Sequence, residues 1–202
     1  MSPSPPDEEL LGRYRRGDDG AFRELVRRHQ RGLFNFALRQ VRVSSVAEDI
    51  VQEVFVRVVQ NAESFKEEAR FTTWAYTIAR NLCIDHLRKR VHRRHASLDA
   101  PMSEEGGGEG AALIERVAGS GPMADRNVIG NQLQKHISEA VEKLPDDQRE
   151  VFLMRQIGEL PFKEIAEAVG VSENTVKSRM RYALERLQAA LAEFEDYAKA
   201  LK

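Results

Sequence analysis

Side chains that can contact DNA follow one another closely between residues 172 and 181. Arg and Lys bind phosphates and guanine edges, while Asn, Ser and Thr hydrogen-bond to base edges or phosphate oxygens. Their spacing places them on the outer side of one helix, whose apolar Val176 and Met180 would face a core. The sequence therefore predicts a nucleic-acid surface whose members are Ser172, Glu173, Asn174, Thr175, Lys177, Ser178, Arg179 and Arg181.

The residues before this surface have the local signals of a helix-turn-helix. Pro161 suits the first turn of a helix, where its missing N–H is not needed. Gly170 can adopt the left-handed conformation that ends a helix, and Ser172 can cap the next one. A purely structural helical hairpin has the same pattern and stays an alternative, but the exposed Arg and Lys residues favour DNA binding.

A second basic segment runs from Arg70 to His95, with seven bases against the single acid Asp85, a balance of +6. Exposed rings, amides and cations on one surface are typical of single-stranded DNA binding, because rings stack on bases and cations follow phosphates. Trp74 lies on the apolar stripe and is expected in the core. Phe65, in a charged loop, is expected to be the exposed ring, with closure of the core as the alternative. The candidates are Ser64, Phe65, Lys66, Tyr76, Arg80, Asn81, Arg88, Lys89 and Arg90.

Catalytic and metal-binding patterns are not found in the sequence. It contains no phosphate-binding loop, zinc-protease motif or nucleophile elbow, and the single Cys83 excludes a multi-cysteine metal cage. His92 and His95 lie at i and i+3 among arginines that would repel a cation, which favours a basic surface over a metal site. We expect no enzyme activity, no metal and no cofactor.

Helical periodicity extends along almost the whole chain and predicts an all-α fold. A short helix is expected over residues 8–16, and a long one over 71–94. Ser45 and Glu48 have the spacing of a capping box that opens a helix ending at Asn61. Its buried stripe would be Ile50, Val51, Val54, Phe55, Val58 and Val59, and that of the last helix Val176, Met180, Leu184 and Leu187.

The formal net charge of −1 over 202 residues conceals three blocks. Residues 70–95 carry +6, residues 99–125 carry −5 and residues 175–188 carry +3. Such blocks suggest two nucleic-acid surfaces joined by an acidic connector, although solvated helix faces are an alternative. A glycine-rich stretch without periodicity coincides with the acidic block. We therefore predict two small helical domains, 1–96 and 131–202, joined by a flexible acidic linker, 97–130.

Export and membrane signals are also missing. The first nine residues carry three prolines and three acids instead of a basic and then apolar leader, and no apolar run is long enough to span a bilayer. The expectation is a cytoplasmic protein without membrane insertion.

Three segments together resemble the extracytoplasmic-function (ECF, group IV) sigma factors of bacterial RNA polymerase, in the sigma-70 family. They are AEDIVQEVFVRVVQNAESF, FTTWAYTIARNLCIDHLRKR and LPDDQREVFLMRQIGELPFKEIAEAVGVSENTVKSRMRYALERL. The resemblance covers nearly the whole chain outside the linker and the two ends. Such proteins keep only the domains called region 2 and region 4, which corresponds to the two predicted here.

The resemblance implies a role for each surface. A base flipped from the promoter −10 element would enter a pocket of Ser64, Phe65 and Lys66 with Asn81 beneath it, at a cost of a few kcal/mol for unstacking and unpairing. Arg80, Arg88, Lys89 and Arg90 would hold the DNA backbone. The helix-turn-helix would lie in the −35 major groove. Contacts to core polymerase would come from Asp49, Gln52, Glu53, Arg57 and Gln60.

The partners implied by the resemblance are core RNA polymerase, through its largest and second-largest subunits, promoter DNA in duplex and single-stranded form, and an anti-sigma factor. The acidic linker would thread the catalytic cleft and RNA-exit path, with a passive tether as the alternative. A competing hypothesis is a helix-turn-helix repressor or activator whose N-terminal domain dimerises or senses a ligand. Such a duplex-only protein would not need the single-strand surface around Asn81 and Arg88.

Overall fold

Helices make up the regular secondary structure of residues 4–66, 69–96 and 135–192, the part of the chain that this computed structural model describes. No β-strand occurs in these residues, so the all-α prediction is confirmed. The N-terminal bundle consists of α1 (Asp7–Arg15), α2 (Asp19–Val41), α3 (Ser44–Asn61), a short 3-10 helix (Ala62–Ser64) and α4 (Phe71–Ala96). The C-terminal unit consists of α5 (helical over residues 135–142), α6 (Asp146–Gln156), α7 (Phe162–Val169) and α8 (Glu173–Leu191).

The core of the N-terminal bundle lies where α2, α3 and α4 meet. Leu25, Leu33 and Phe36 of α2 are fully buried, and Val54 and Phe71 reach the same core from α3 and α4. Full burial of a side chain of this size contributes about 1.5–3 kcal/mol relative to exposure. This core fixes the position of α4 and therefore of the polar residues on its outer side.

Helix α1 is tied to the bundle by two acidic residues. Asp7 accepts from Arg28 Nη1 at 2.9 Å and contacts His29 Nε2 at 2.6 Å. Although burial alone would raise the pKa of Asp7, hydrogen bonds and charge from His29 and Arg28 outweigh burial and hold it below the usual range. Glu8 Oε1 accepts the backbone N–H of Phe71 at 2.8 Å, which satisfies a free donor at the first turn of α4.

The helix-turn-helix has the predicted local structure. Helix α7 ends at Gly170, whose φ of 76° is the left-handed conformation that glycine adopts without strain. Ser172 Oγ then accepts the backbone N–H of Thr175 at 3.1 Å and caps α8. Val176 and Met180 fix α8 on the core of the C-terminal unit. Its opposite side therefore faces solvent.

A buried arginine holds the corner between α5 and α6. Arg149 is only 3% exposed. Its Nη1 donates to the carbonyls of Leu144 at 3.0 Å and Glu142 at 3.3 Å, and its Nη2 donates to Asp146 Oδ1 at 2.5 Å. The guanidinium thus satisfies the buried Leu144 carbonyl, just after α5, and shares the Glu142 carbonyl with Arg42.

The N-terminal bundle and the C-terminal unit pack against each other. Arg39 of α2 donates to Ser138 Oγ at 3.1 Å, and Arg42 donates to the Glu142 carbonyl at 2.6 Å. Further contacts join α4 to α7 and α2 to α6, and Arg80 of α4 pairs with Glu150 of α6 at 2.6 Å. The predicted linker, residues 97–130, lies outside the described residues, so the domain boundaries stay a prediction.

Three local predictions are wrong. Helix α3 begins at Ser44, whose Oγ donates to Glu48 Oε1 at 3.3 Å, so Ser45 forms no capping box. Val59 is 42% exposed, because it lies about 100° further around α3 than the buried Val58. Leu184 is 47% exposed, because the buried side of α8 follows positions 176, 180, 183 and 187.

Candidate nucleic-acid interfaces

The outer side of α8 presents most of the predicted DNA-contacting residues to solvent. Asn174 and Ser178 are exposed and make no side-chain hydrogen bond to another described residue. Lys177 pairs with Glu173 at 2.6 Å, and Arg181 lies 3.8 Å from Glu185 and over the Tyr182 ring. These ion pairs join neighbours one turn apart on an exposed helix, are worth about 0.3–0.5 kcal/mol and are easily exchanged for phosphate.

Arg179 differs from the other candidates on α8 because it has a partner on another helix. Its Nε lies 3.1 Å from Asp147 Oδ2, at the start of α6. The Arg179 side chain is 24% exposed and the Asp147 side chain 49%. Arg179 is therefore accessible to DNA, but in this structure it also links α8 to α6.

The second half of α4 carries the most accessible cations of the predicted −10 surface. Arg88, Lys89 and Arg90 are exposed and form no ion pair within the described part of the chain. Asn81, two turns nearer the start of α4, is also exposed, and its Oδ1 accepts from Arg80 Nη1 at 3.2 Å. This amide and these cations can contact a strand directly.

Arg80 and Tyr76, in the first half of α4, face the C-terminal unit. Arg80 Nε donates to Glu150 Oε1 at 2.6 Å. Tyr76 is only 2% exposed, and its hydroxyl donates to the Ile157 carbonyl at 3.3 Å. Its predicted position on an open surface is wrong, because its ring packs on Phe36 of α2, with centroids 5.4 Å apart, and its hydroxyl is covered by the residues that follow α6. Burial raises the pKa of Tyr76, so its hydroxyl stays protonated.

Phe65 is not the exposed ring that was expected. It is 9% exposed, and its ring centroid lies 5.0 Å from that of Trp74, which in turn contacts Phe71. Closure of the core is therefore the interpretation that the structure supports. Ser64 and Lys66 on either side are exposed, and Ser64 Oγ donates to the Asn61 carbonyl at 2.9 Å.

Asn81 follows Trp74, the ring partner of Phe65, by seven residues on α4, which is two turns or about 10 Å along the helix axis. The pocket between this loop and Asn81 stays a prediction.

The predicted polymerase-binding residues share the outer side of α3. Glu53 and Arg57 form an i, i+4 ion pair at 2.8 Å, with both side chains about half exposed. Two valines on this side are also exposed. Val56, between Glu53 and Arg57, is 45% exposed, and Val59, after Arg57, is 42% exposed. Sequence periodicity counted Val59 among the core residues and did not single out Val56. The other predicted members, Asp49, Gln52 and Gln60, are exposed.

The described residues contain no group of His, Cys, Asp and Glu able to hold a metal ion. Burial raises the pKa of the Cys83 thiol to about 12, which keeps it a thiol at neutral pH. Among the described helices, none combines the length and apolarity needed to cross a membrane.

Both helical units match known protein families. The family models described as Sigma-70 region 2 and Sigma-70, region 4 match residues 25–93 and 135–187. The chain is 33% identical over 184 residues to the ECF RNA polymerase sigma factor SigW of Bacillus subtilis, with 91% of this chain and 96% of that protein covered. It is 30% identical over 187 residues to the ECF RNA polymerase sigma-E factor of Escherichia coli K12, with 93% and 95% covered.

A solved structure agrees with the fold. The sigma factor RpoE of Bartonella quintana, in complex with the anti-sigma factor NepR, superposes with a TM-score of 0.64 at 24% identity, covering 85% of this chain and 96% of that one. The sequence likeness extends over both helical units and nearly the full length of the two relatives. The chain therefore belongs to the ECF sigma factors of the sigma-70 family.

Proposed function

We propose that this chain is a promoter-specificity subunit, which binds core RNA polymerase, recognises the −35 element as duplex and melts the −10 element. The observation that supports this best is the combination, in one chain, of a capped helix-turn-helix and a long helix with an exposed amide and three exposed cations that have no ion-pair partner among the described residues. Duplex recognition needs only the first of these surfaces. Single-strand binding uses cations of the second kind to follow the backbone, and the amide can contact a base edge.

At the −35 element, the outer side of α8 is proposed to enter the major groove. Asn174, Ser178 and Arg179 would contact base edges, whereas Lys177 and Arg181 would hold phosphates on either side. The Ser172 cap fixes the angle at which α8 leaves the turn. Glu173 and Thr175, in the first turn, complete the proposed surface.

At the −10 element, Arg88, Lys89 and Arg90 are proposed to hold the backbone of the displaced strand while Asn81 contacts a base. Phe65 and Trp74 would form the floor of a pocket between Ser64 and Lys66 instead of stacking from an exposed position. Arg80 and Tyr76 would join this surface only when the C-terminal unit moves away from α4.

The other roles are proposed from the α3 surface and from the relatives. Asp49, Gln52, Glu53, Arg57 and Gln60, together with the exposed Val56 and Val59, would dock on core polymerase. An anti-sigma factor is the proposed regulator, since the Bartonella quintana relative was solved with one. The chain would act in the cytoplasm, where the polymerase and DNA are, and without catalytic chemistry of its own.

Reconstitution tests the proposal. The purified chain is mixed with bacterial core polymerase and with duplexes randomised at the two promoter elements, and the transcripts and their templates are sequenced. We expect transcripts that depend on the chain and a common pair of elements in their templates. Tight binding to duplex without polymerase, and no transcripts with it, would contradict the proposal and favour a helix-turn-helix repressor.

A variant separates the two DNA surfaces. Asn81→Ala removes one base contact, worth about 1–3 kcal/mol, and should lower promoter opening about tenfold while −35 duplex binding stays unchanged. Asp85→Ala, an exposed residue one turn further along α4, is the control and should not impair opening. Equal loss of opening and −35 binding in Asn81→Ala would contradict this division of roles.

A further inference from the structure

Tyr182 has a ring on α8 that is 46% exposed, next to the proposed −35 surface but outside the residues predicted for it. Its position lies about 40° around the helix from that of Ser178, one turn earlier, at about 100° per residue. The buried side of α8 follows positions 176, 180, 183 and 187 and begins about 100° away from the ring. The ring therefore borders the residues proposed to contact DNA and is not part of the core.

The ring has a defined partner in Arg181. The guanidinium carbon of Arg181 lies 4.8 Å from the centroid of the Tyr182 ring. This is within the roughly 6 Å at which the face of an aromatic ring attracts a cation. Because successive residues of a helix point about 100° apart, the long Arg181 side chain must bend toward the ring to make this contact. Tyr182 thus selects one direction for the guanidinium.

Glu185 is the other partner of Arg181 and holds it less firmly. Its Oε1 lies 3.8 Å from Arg181 Nε, which is too long for a hydrogen bond, and the two side chains are 61% and 64% exposed. A pair so accessible to solvent is easily exchanged for a DNA phosphate. The ring is not displaced in the same way, because phosphate binds the N–H groups in the guanidinium plane and leaves the face of the group available.

Resting on the proposed function, we propose that Tyr182 is a positioning residue for −35 recognition, which holds the Arg181 guanidinium in place for a DNA phosphate. A mobile arginine loses rotamer freedom when it binds, and this loss weakens binding. The ring restricts that freedom before DNA arrives. Tyr182 acts through Arg181 and makes no base contact of its own.

A double-mutant cycle on the full chain tests this role. Tyr182→Ala, Arg181→Ala and the double variant are compared with wild type by anisotropy, on a labelled duplex that the wild-type chain selects from a random pool. Tyr182→Ala should weaken binding about two- to fivefold, which is equivalent to the roughly 0.5–1 kcal/mol of an exposed cation–π contact. In the Arg181→Ala background, the same substitution should change affinity by no more than about 1.5-fold, because the group that the ring positions is missing.

The salt dependence of binding is a readout that lower stability alone would not change. Arg181→Ala should reduce the slope of log affinity against log salt concentration by about 0.9, the value for one phosphate contact on duplex DNA. Tyr182→Ala should reduce the slope by a smaller amount, although it removes no charge. Far-UV circular dichroism checks that each variant is folded.

Three further variants separate the ring from its other properties. Tyr182→Phe keeps the ring and should match wild type in affinity and slope. Tyr182→Leu keeps an apolar side chain without a ring and should repeat the loss seen in Tyr182→Ala. Glu185→Ala removes the other partner of Arg181 and should bind the duplex at least as tightly as wild type.

The outcomes distinguish this inference from the proposed function. Equal loss on substituting Tyr182 with and without Arg181 would show that the ring contacts DNA by itself, and a loss in Tyr182→Phe would assign the contact to its hydroxyl. Either result, or no loss in Tyr182→Ala, overturns the positioning role, while transcripts from wild-type chain with core polymerase leave the function standing. The expected cycle without any such transcripts overturns the function and leaves the positioning role standing.

Discussion

Arg179 allows a decisive test of whether the helix-turn-helix recognises DNA or only supports the fold. Its ion pair with Asp147 joins a guanidinium that is 24% exposed to a carboxylate that is 49% exposed. A pair so accessible to solvent contributes about 0–1 kcal/mol to folding. An arginine that contacts a base contributes about 1–3 kcal/mol to discrimination. Arg179→Ala should therefore lower affinity for the −35 duplex about 5- to 150-fold and the free energy of unfolding by no more than about 1 kcal/mol.

Asp147→Ala is the matched control, because it breaks the same ion pair but leaves the guanidinium free for DNA. It should cause the same small loss of stability, with duplex affinity unchanged or higher. Affinity is measured by anisotropy on a −35 duplex taken from the sequenced promoters, and stability by urea unfolding followed by far-UV circular dichroism. Equal loss of affinity in both variants would show that the ion pair only holds α8 in position. No loss of affinity in either variant would show that Arg179 is not part of the recognition surface.

Three further predictions concern the supports of these surfaces. Ser172→Ala removes the α8 cap and should lower the stability of the C-terminal unit by about 1 kcal/mol, whereas Ser172→Asp should keep it, both measured by thermal unfolding. Arg149→Met leaves the buried Leu144 carbonyl without a donor and should lower the urea-unfolding free energy by about 1–3 kcal/mol, against about 0–1 kcal/mol for Asp146→Ala, whose side chain is 87% exposed. Asp7→Asn should destabilise the N-terminal bundle by about 1 kcal/mol at neutral pH, detected by the fluorescence of Trp74. Because the folded state lowers the pKa of Asp7 below 3.8, this difference should persist above that pH and disappear as the pH falls through the lowered value, and a constant difference would contradict the assignment.

The helix-turn-helix was predictable from sequence because its signals are local. The residues that end α7 and begin α8 act on backbone groups within a few positions of themselves, as Gly170 and Ser172 do. The long helix α4 was equally predictable, since its apolar spacing repeats over many turns. Ser44 and Ser45 are both residues that can begin a helix, and the second was predicted to do so. The predicted start of α3 was therefore one residue too late.

The accessibility of individual side chains was not predictable in the same way, because contacts distant in sequence determine it. Tyr76 is buried through Ile157, 81 residues later in the chain, and Arg80 is paired with Glu150, 70 residues later. Periodicity wrongly left Tyr76 off the apolar side of α4, because its ring also packs on Phe36 of α2 with the centroids 5.4 Å apart. Periodicity carries no information about a second domain that packs against the helix. The carboxylates of that domain that contact α4, Glu150 and Glu164, had no distinguishing signal in the sequence.

The two proposed DNA surfaces consequently depend on the fold in different ways. Everything that shapes the recognition side of α8 lies within the C-terminal unit, so −35 recognition is a property of that unit in any domain arrangement. The first half of α4 is shaped by the N-terminal bundle, but the exposure of Arg80 also depends on α6, whose Glu150 pairs with it at 2.6 Å. The near-neutral net charge of the whole chain has another origin, because the acidic block of −5 over residues 99–125 partly offsets the basic blocks of +6 and +3.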